Sequence, residues 1–180
     1  MTLHELDNEI LLIDQLIEDH RTLFETTLKE VEWDHSMKAR KTASFGVPYD
    51  YSNMSYDAVE IPGFLQEIIP LVASKIGFIP NNCLINYYYE ESSSMGFHSD
   101  MTDQLDEHTG ICIVSLGNPR TMRFRNKEQK EVTNDFILNP GSLFLMSQEV
   151  QKYWDHAIRK SSGPDSERIS LTFRRILKKQ

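Results

Sequence analysis

A mainly β fold, a sandwich or barrel preceded by helices, is what this sequence predicts. Three observations carry the prediction. Apolar residues recur at helical spacing only ahead of residue 80, and from residue 83 the period changes to two. The alternating segments are short and separated by Gly, Asn, Pro and Asp turns. Helices that precede strands, rather than alternating with them, disfavour a Rossmann-type sheet. A chain of 180 residues is the size of one domain (1–180) with a full core.

The elements follow in chain order. Residues 5–32, ELDNEILLIDQLIEDHRTLFETTLKEVE, place Ile13, Leu16 and Ile17, then Leu23, Phe24, Leu28 and Val31, at helical spacings, which predicts one or two amphipathic helices. Residues 42–63 are rich in turn formers and aromatics and read as a long loop with short strands. Residues 63–77, GFLQEIIPLVASKIG, read as a helix ended by Gly77, with Pro70 a kink or break. Strands are expected at CLINYYYE (83–90), GICIVSLG (110–117), TMRFR (121–125), DFILNPG (135–141), GSLFLMS (141–147), DHAIR (155–159) and ERISLTFRRI (167–176).

In RISLTFR, Ile169, Leu171 and Phe173 share one side, and Arg168, Ser170, Thr172 and Arg174 share the other. In LINYYYE, Asn86 and Tyr88 share a face. Periodicity by itself favours an ordinary half-exposed sheet with its polar side to water. The alternative turns both faces into a small barrel and places two guanidinium groups inside, where they need anions.

Net charge is −8, yet residues 1–37 hold ten acids and two bases and carry all of it. The remainder is neutral and contains basic clusters at Lys38, Arg40 and Lys41, at Arg120, Arg123, Arg125, Lys127 and Lys130, and at Arg174, Arg175, Lys178 and Lys179. Such clusters are ordinary solvated surface or local phosphate contacts, so net charge does not exclude a nucleic-acid partner. No apolar run approaches the roughly 18 residues that span a bilayer. The acidic start MTLHELDNEI does not have the pattern of a secretory signal. Cys83 and Cys112, each alone in an apolar stretch, are expected to be buried reduced thiols, which points to a cytoplasmic protein.

His98 and Asp100 lie two residues apart in GFHSDM and project to one side of an extended segment. One more histidine would complete a two-His-one-carboxylate triad, which leaves coordination positions open on iron. His4, His20, His35, His108 and His156 are available, and His156, in the strand-like YWDHAIR, is the best placed.

Taken together, Asn86-x-Tyr88, His98-x-Asp100, His156 and Arg168-x-Ser170-x-Thr172-x-Arg174 resemble the AlkB family of Fe(II)/2-oxoglutarate dioxygenases. The resemblance continues through SLG (115–117) and PGSLFLM (140–146), and upstream through RKTASFG (40–46), YDYS (49–52) and LFETTLKEVEW (23–33). It implies a double-stranded β-helix, or jelly roll, over 83–176. An acidic helical segment (1–37) and substrate-recognition loops (38–63) would precede it. It implies Fe(II) held by His98, Asp100 and His156, and 2-oxoglutarate held by Asn86, Tyr88, Arg168, Ser170 and Arg174. Arg174 would serve the carboxylate near the metal and Arg168 the distal one. Ser170 stands where family members often carry Asn.

With O2 as co-reactant, the implied activity hydroxylates a C–H bond. On an N-methyl group the product loses formaldehyde. The implied substrate is an N-alkylated base in single-stranded nucleic acid, with Tyr51 matching the family's stacking aromatic. Met101 and Thr102 depart from the polar and acidic residues usual beside the metal aspartate. They favour an alternative, a small metabolite or peptide oxidised at the same iron. A non-enzymatic sugar- or metal-binding jelly roll leaves Arg168 and Arg174 unexplained.

Overall fold

The computed structural model describes residues 1–48, 58–161 and 166–177. In chain order the elements are α1 (Leu3–Asn8), β1 (Ile10–Ile13), α2 (His20–Glu30), β2 (Lys41–Gly46), α3 (Gly63–Gln66), α4 (Ile69–Ile76), β3 (Asn82–Tyr88), β4 (Met95–His98), β5 (Ile111–Gly117), β6 (Arg120–Asn126), β7 (Thr133–Leu138), β8 (Leu143–Met146), α5 (Val150–Tyr153), β9 (Trp154–Ile158) and β10 (Arg168–Arg174). The strands form a six-stranded sheet in the order β1-β8-β5-β10-β3-β2 and a four-stranded sheet in the order β4-β9-β6-β7. Every pairing is antiparallel. Two antiparallel sheets with non-sequential neighbours are the jelly-roll arrangement that the resemblance implies.

The amino-terminal segment departs from the helical expectation. Helix α1 starts in a capping box, in which the Thr2 hydroxyl accepts from the Glu5 N–H and the Glu5 carboxylate accepts from the Thr2 N–H at 2.6 Å. Ile10–Ile13 then forms a strand rather than more helix, paired with Leu143–Met146. A run of four apolar residues suits either period, and pairing with β8 decides it. Helix α2 begins where Asp19 caps the Thr22 N–H. The segment around Pro70 is two helices, not one: Pro70 sits in the first turn of α4, where its missing N–H costs no helical bond. Gly77 ends α4 with φ +79, a left-handed cap that glycine adopts without strain.

Two cores explain why the central strands β3, β5 and β10 of the six-stranded sheet are buried on both faces. Outside it, Leu23 of α2 and Val72 and Ile76 of α4 pack on Cys83, Ile85, Val114, Ile169, Leu171 and Phe173. Between the sheets, Leu84, Ile113, Met122, Phe124, Phe144 and Trp154 interdigitate. The polar side of RISLTFR therefore faces the barrel interior, with Arg168, Ser170, Thr172 and Arg174 all buried, and not water as periodicity favours. Alternation reports that a strand has two faces; the helices laid on the apolar one decide which side is wet. Cys83 and Cys112 are free and buried, and burial raises both thiol pKa values. Among the described residues no helix is long and apolar enough to cross a membrane.

Candidate metal centre

Antiparallel register assembles the site. His98, the last residue of β4, lies directly opposite His156 of β9. Asp100 follows two residues beyond the strand. The three ligand atoms lie within 4.8 Å of one another, and among the described residues this is the group of acids, histidines and cysteines arranged to hold a metal. His108 is solvent-exposed beside Glu107 and lies outside it. The structure brings together the three residues that the sequence offers as candidate ligands.

The groups around these residues orient His98 and bear on the ionisation of Asp100 and His156. His98 Nδ1 lies 2.9 Å from the Gly96 carbonyl. In the tautomer with its N–H at Nδ1, that group donates to the carbonyl and Nε2 carries the lone pair a metal would use. His156 is buried, which lowers its pKa to about 4, while Asp100, 3.7 Å from its Nε2, pulls the other way. Burial works to raise the Asp100 pKa, yet Arg174, His156 and His98 together hold it below the usual carboxylate range. Near neutral pH the site is therefore a carboxylate and a neutral imidazole, the states that bind a divalent ion.

Arg174 Nη2 donates to Asp100 Oδ1 at 2.9 Å, so this arginine reaches the candidate metal aspartate itself as well as the cavity. The Asp100 N–H donates to the Gln151 side-chain oxygen at 2.9 Å. Gln151 is buried in α5 and places Asp100 from behind. Nothing in the sequence singles Gln151 out.

A cavity opens from the ligands toward β10. Leu84, Met95, Ile113, Met122 and Ile158 form its apolar walls, and Asn86, Tyr88, Arg168, Ser170, Thr172 and Arg174 its polar ones. Registers explain the grouping: Tyr88 faces Arg168 and Asn86 faces Ser170 across β3 and β10, while Ser115 of β5 faces Ser170 from the other side. Gly117 makes that approach possible. A Cβ there would lie 2.5 Å from the Glu167 carbonyl, just ahead of Arg168.

Arg168 is fully buried, with its guanidinium 5.3 Å from the centre of the Tyr88 ring and Nη2 donating to Ser115 Oγ at 3.0 Å. Among the described residues its Nε and Nη1 have no hydrogen-bond partner. A buried cation with open donors fits an anion, and an anion-binding cavity beside a His-Asp-His group fits an iron site whose cosubstrate is a carboxylate.

Most of the described members of the basic clusters are engaged within the fold, while Lys38 is exposed. Arg40 is buried, and its Nε donates to Asn86 Oδ1 at 2.7 Å. An N–H can meet only the amide oxygen, so Asn86 must direct its NH2 elsewhere. Lys41 lies 5.1 Å from the Tyr89 ring and 5.6 Å from the Tyr87 ring. Arg123 pairs with Asp135, and Arg125 and Lys130 both pair with Asp155. Lys127 donates to the Gln151 carbonyl, Arg120 is buried, and Arg175 pairs with Asp106. Lys178 and Lys179 lie outside the described residues, as does Tyr51. Met101 is 45% exposed, and Thr102 borders a separate groove with Ile76 and Phe78. Neither lines the metal cavity.

Comparison with known proteins agrees with this geometry. A family model described as the 2OG-Fe(II) oxygenase superfamily matches residues 10–174. The chain is 27% identical over 175 residues to alpha-ketoglutarate-dependent dioxygenase alkB homolog 3 of Rattus norvegicus, covering 86% of this chain and 59% of that protein. It is 28% identical over 148 residues to DNA oxidative demethylase ALKBH2 of Homo sapiens, covering 77% of this chain and 57% of that protein. The chain thus spans less than two thirds of the length of these relatives. In three dimensions it resembles a solved structure titled "The structure of OsALKBH1", with a TM-score of 0.70 and 14% identity over 93% of this chain and 96% of that one.

Proposed function

Because this chain belongs to the 2OG-Fe(II) oxygenase superfamily, we propose that it is an AlkB-like dioxygenase that removes alkyl groups from N-alkylated nucleobases. The observation that carries the reading is the His98-Asp100-His156 group, with Asp100 and His156 buried, opening onto an Arg168 whose Nε and Nη1 are open to an anion. The two sequence relatives named above are described as a dioxygenase and a DNA oxidative demethylase, which supports a nucleobase as the substrate.

His98, Asp100 and His156 would hold the iron, and Arg168, Tyr88, Asn86 and Arg174 the 2-oxoglutarate. Bound together, these supply oxidative chemistry that couples decarboxylation of the cosubstrate to insertion of oxygen into a C–H bond. The protein's own share is positional. Arg174 keeps Asp100 ionised and aimed. Leu84, Ile113, Met122 and Ile158 keep the cavity dry, which strengthens each charge-assisted contact inside it. Arg40, holding Asn86, links the segment before β2 to the cosubstrate wall.

A second reading, a small amine or peptide substrate, is favoured by the ion pairs that Arg123, Arg125, Lys130 and Arg175 make within the fold, which reduce the charge these residues offer a phosphate backbone. The test is succinate and formaldehyde release from the iron-loaded protein across methylated single-stranded oligonucleotides and small methylamines. Stimulation by the oligonucleotides supports base dealkylation. Stimulation by the amines alone replaces it with the second reading.

A further inference from the structure

Arg120 opens β6, and its place on that strand's inner face is shared with Met122 and Phe124. It is 4% exposed, and no carboxylate among the described residues pairs with it. The two terminal nitrogens of its guanidinium are bonded instead to backbone, while Nε has no hydrogen-bond partner among the described residues. Nη1 donates to the carbonyls of Ser93 at 3.1 Å and Arg159 at 3.0 Å, and Nη2 to those of Glu90 at 3.3 Å and Ser166 at 2.8 Å. Those carbonyls lie on three chain segments, and each segment leads into the site. Glu90 follows Tyr88 by two residues, Arg159 follows His156 by three, and Ser166 precedes Arg168 by two. The same guanidinium lies 5.9 Å from the Tyr88 ring that Arg168 approaches at 5.3 Å.

We propose that Arg120 is a positioning residue for the cosubstrate: it ties together the chain ends that present Tyr88 and Arg168, and adds a second buried positive charge at the distal-carboxylate end of the cavity. The proposal rests on the reading of that cavity as the 2-oxoglutarate site. Two points separate it from a purely architectural clamp. Two buried guanidiniums beside one ring repel each other, and burial with that repulsion lowers the Arg168 pKa. An entering carboxylate relieves the repulsion, so Arg120 favours a dianionic 2-oxo acid over a monoanionic one. The fork geometry also matters, because four planar N–H groups meet four carbonyls, whereas a lysine ammonium has three donors on a flexible stem.

The experiment measures equilibrium binding, not turnover. The full chain is loaded with Mn(II), and calorimetry gives the Kd of 2-oxoglutarate and of 2-oxopentanoate, which carries a methyl in place of the distal carboxylate. Arg120→Met is expected to lower the preference for 2-oxoglutarate by roughly tenfold, the effect of one partly screened charge. Arg120→Lys, which keeps the charge and loses the fork, is expected between Arg120→Met and the wild type. Equal weakening of both acids, or an unchanged preference, overturns the proposal and leaves Arg120 as architecture. If Arg120→Met does not fold, Arg120→Lys decides by the same criterion: a lowered preference supports the proposal and an unchanged one overturns it. A wild-type protein with no preference between the two acids removes the cavity reading itself, and the proposal with it.

Discussion

Strands β6 and β10, RTMRFRN and RISLTFR, both set arginines among apolar side chains, yet beyond Arg120 at its start β6 turns apolar residues toward the barrel, whereas β10 turns its arginines there. In β6, Met122 and Phe124 point inward, while Arg123 and Arg125 lie on the outer face in ion pairs with Asp135 and Asp155. In β10 the apolar residues point outward beneath helices and the arginines point inward. The difference comes from what covers each strand. β10 lies in the middle of a sheet roofed by α2 and α4, so its apolar face already has a core of its own. β6 belongs to the four-stranded sheet, and its apolar side chains have only the barrel interior to fill. An inward guanidinium then needs acceptors from elsewhere: Arg174 has the Asp100 carboxylate, Arg120 has backbone carbonyls, and Arg168 faces a cavity that fits an anion.

The largest effect that can break this contrast is at the metal. His98→Ala, Asp100→Ala and His156→Ala are each expected to abolish iron binding and succinate formation, because two remaining ligands hold Fe(II) too weakly. His108→Ala, exposed and away from the group, should keep both. Iron content of the purified variants checks this. Wild-type turnover in Asp100→Ala would mean that the inward face of the barrel serves something other than a metal.

Next in size are the arginines themselves. Arg168→Met and Arg174→Met each remove a charge-assisted partner of a carboxylate in a dry cavity, a loss of about 2–5 kcal/mol in 2-oxoglutarate affinity. Arg174→Met should also weaken iron, because Arg174 holds Asp100. Arg123→Met on β6 should change neither affinity. Titration of 2-oxoglutarate against the three variants makes the comparison, and equal sensitivity of Arg123 and Arg168 would erase the distinction between the two strands.

The metal-free protein offers a third test. His156 has an ordinary pKa of 6.5 and a folded-state value of about 4. The unfolded chain therefore takes up this proton first as pH falls. The stability involved is fully present above about pH 6.5 and is lost progressively down to about pH 4, at most about 3 kcal/mol. Asp100, held below the usual carboxylate range, adds a loss only at lower pH than that. Chemical denaturation of the apo-protein at pH 7 and pH 5 measures the first window. His156→Gln should flatten it, and an unchanged pH dependence in that variant would place the responsible proton elsewhere.

The parts of this architecture legible in the sequence were those set by rare chemistry or by long alternation. The ligands His98, Asp100 and His156 combine two residue types at a spacing few surfaces need, and seven strand segments kept their period for five residues or more. β4 was too short to read as a strand, and β1 was hidden in a run that fits a helix equally well. The buried roles of Arg40 and Arg120 were missed because arginine by type belongs at the surface. For Arg120 a signal existed: extending the expected strand 121–125 by one residue puts it on the face of Met122 and Phe124, away from Arg123 and Arg125. For Arg40 there was none, since its partner Asn86 is distant in sequence.

The smallest expected effect lies at Thr102. If the residues beside the metal aspartate read the substrate, a carboxylate at this position should improve turnover of a cationic methylated base. The geometry argues for a different result. The Thr102 carbonyl accepts from the Leu105 N–H at 3.0 Å, which fixes a turn that carries the side chain toward the groove beside Phe78. Thr102→Glu is therefore expected to behave as a surface substitution, changing stability by less than about 0.5 kcal/mol and turnover by less than about twofold. Formaldehyde release from a methylated single-stranded oligonucleotide measures it, with Met101→Ala as the neighbouring control. A several-fold gain in Thr102→Glu alone would mean that the segment after Asp100 swings into the cavity when a base is present. The inward wall of the barrel would then include a loop as well as the faces of β3 and β10.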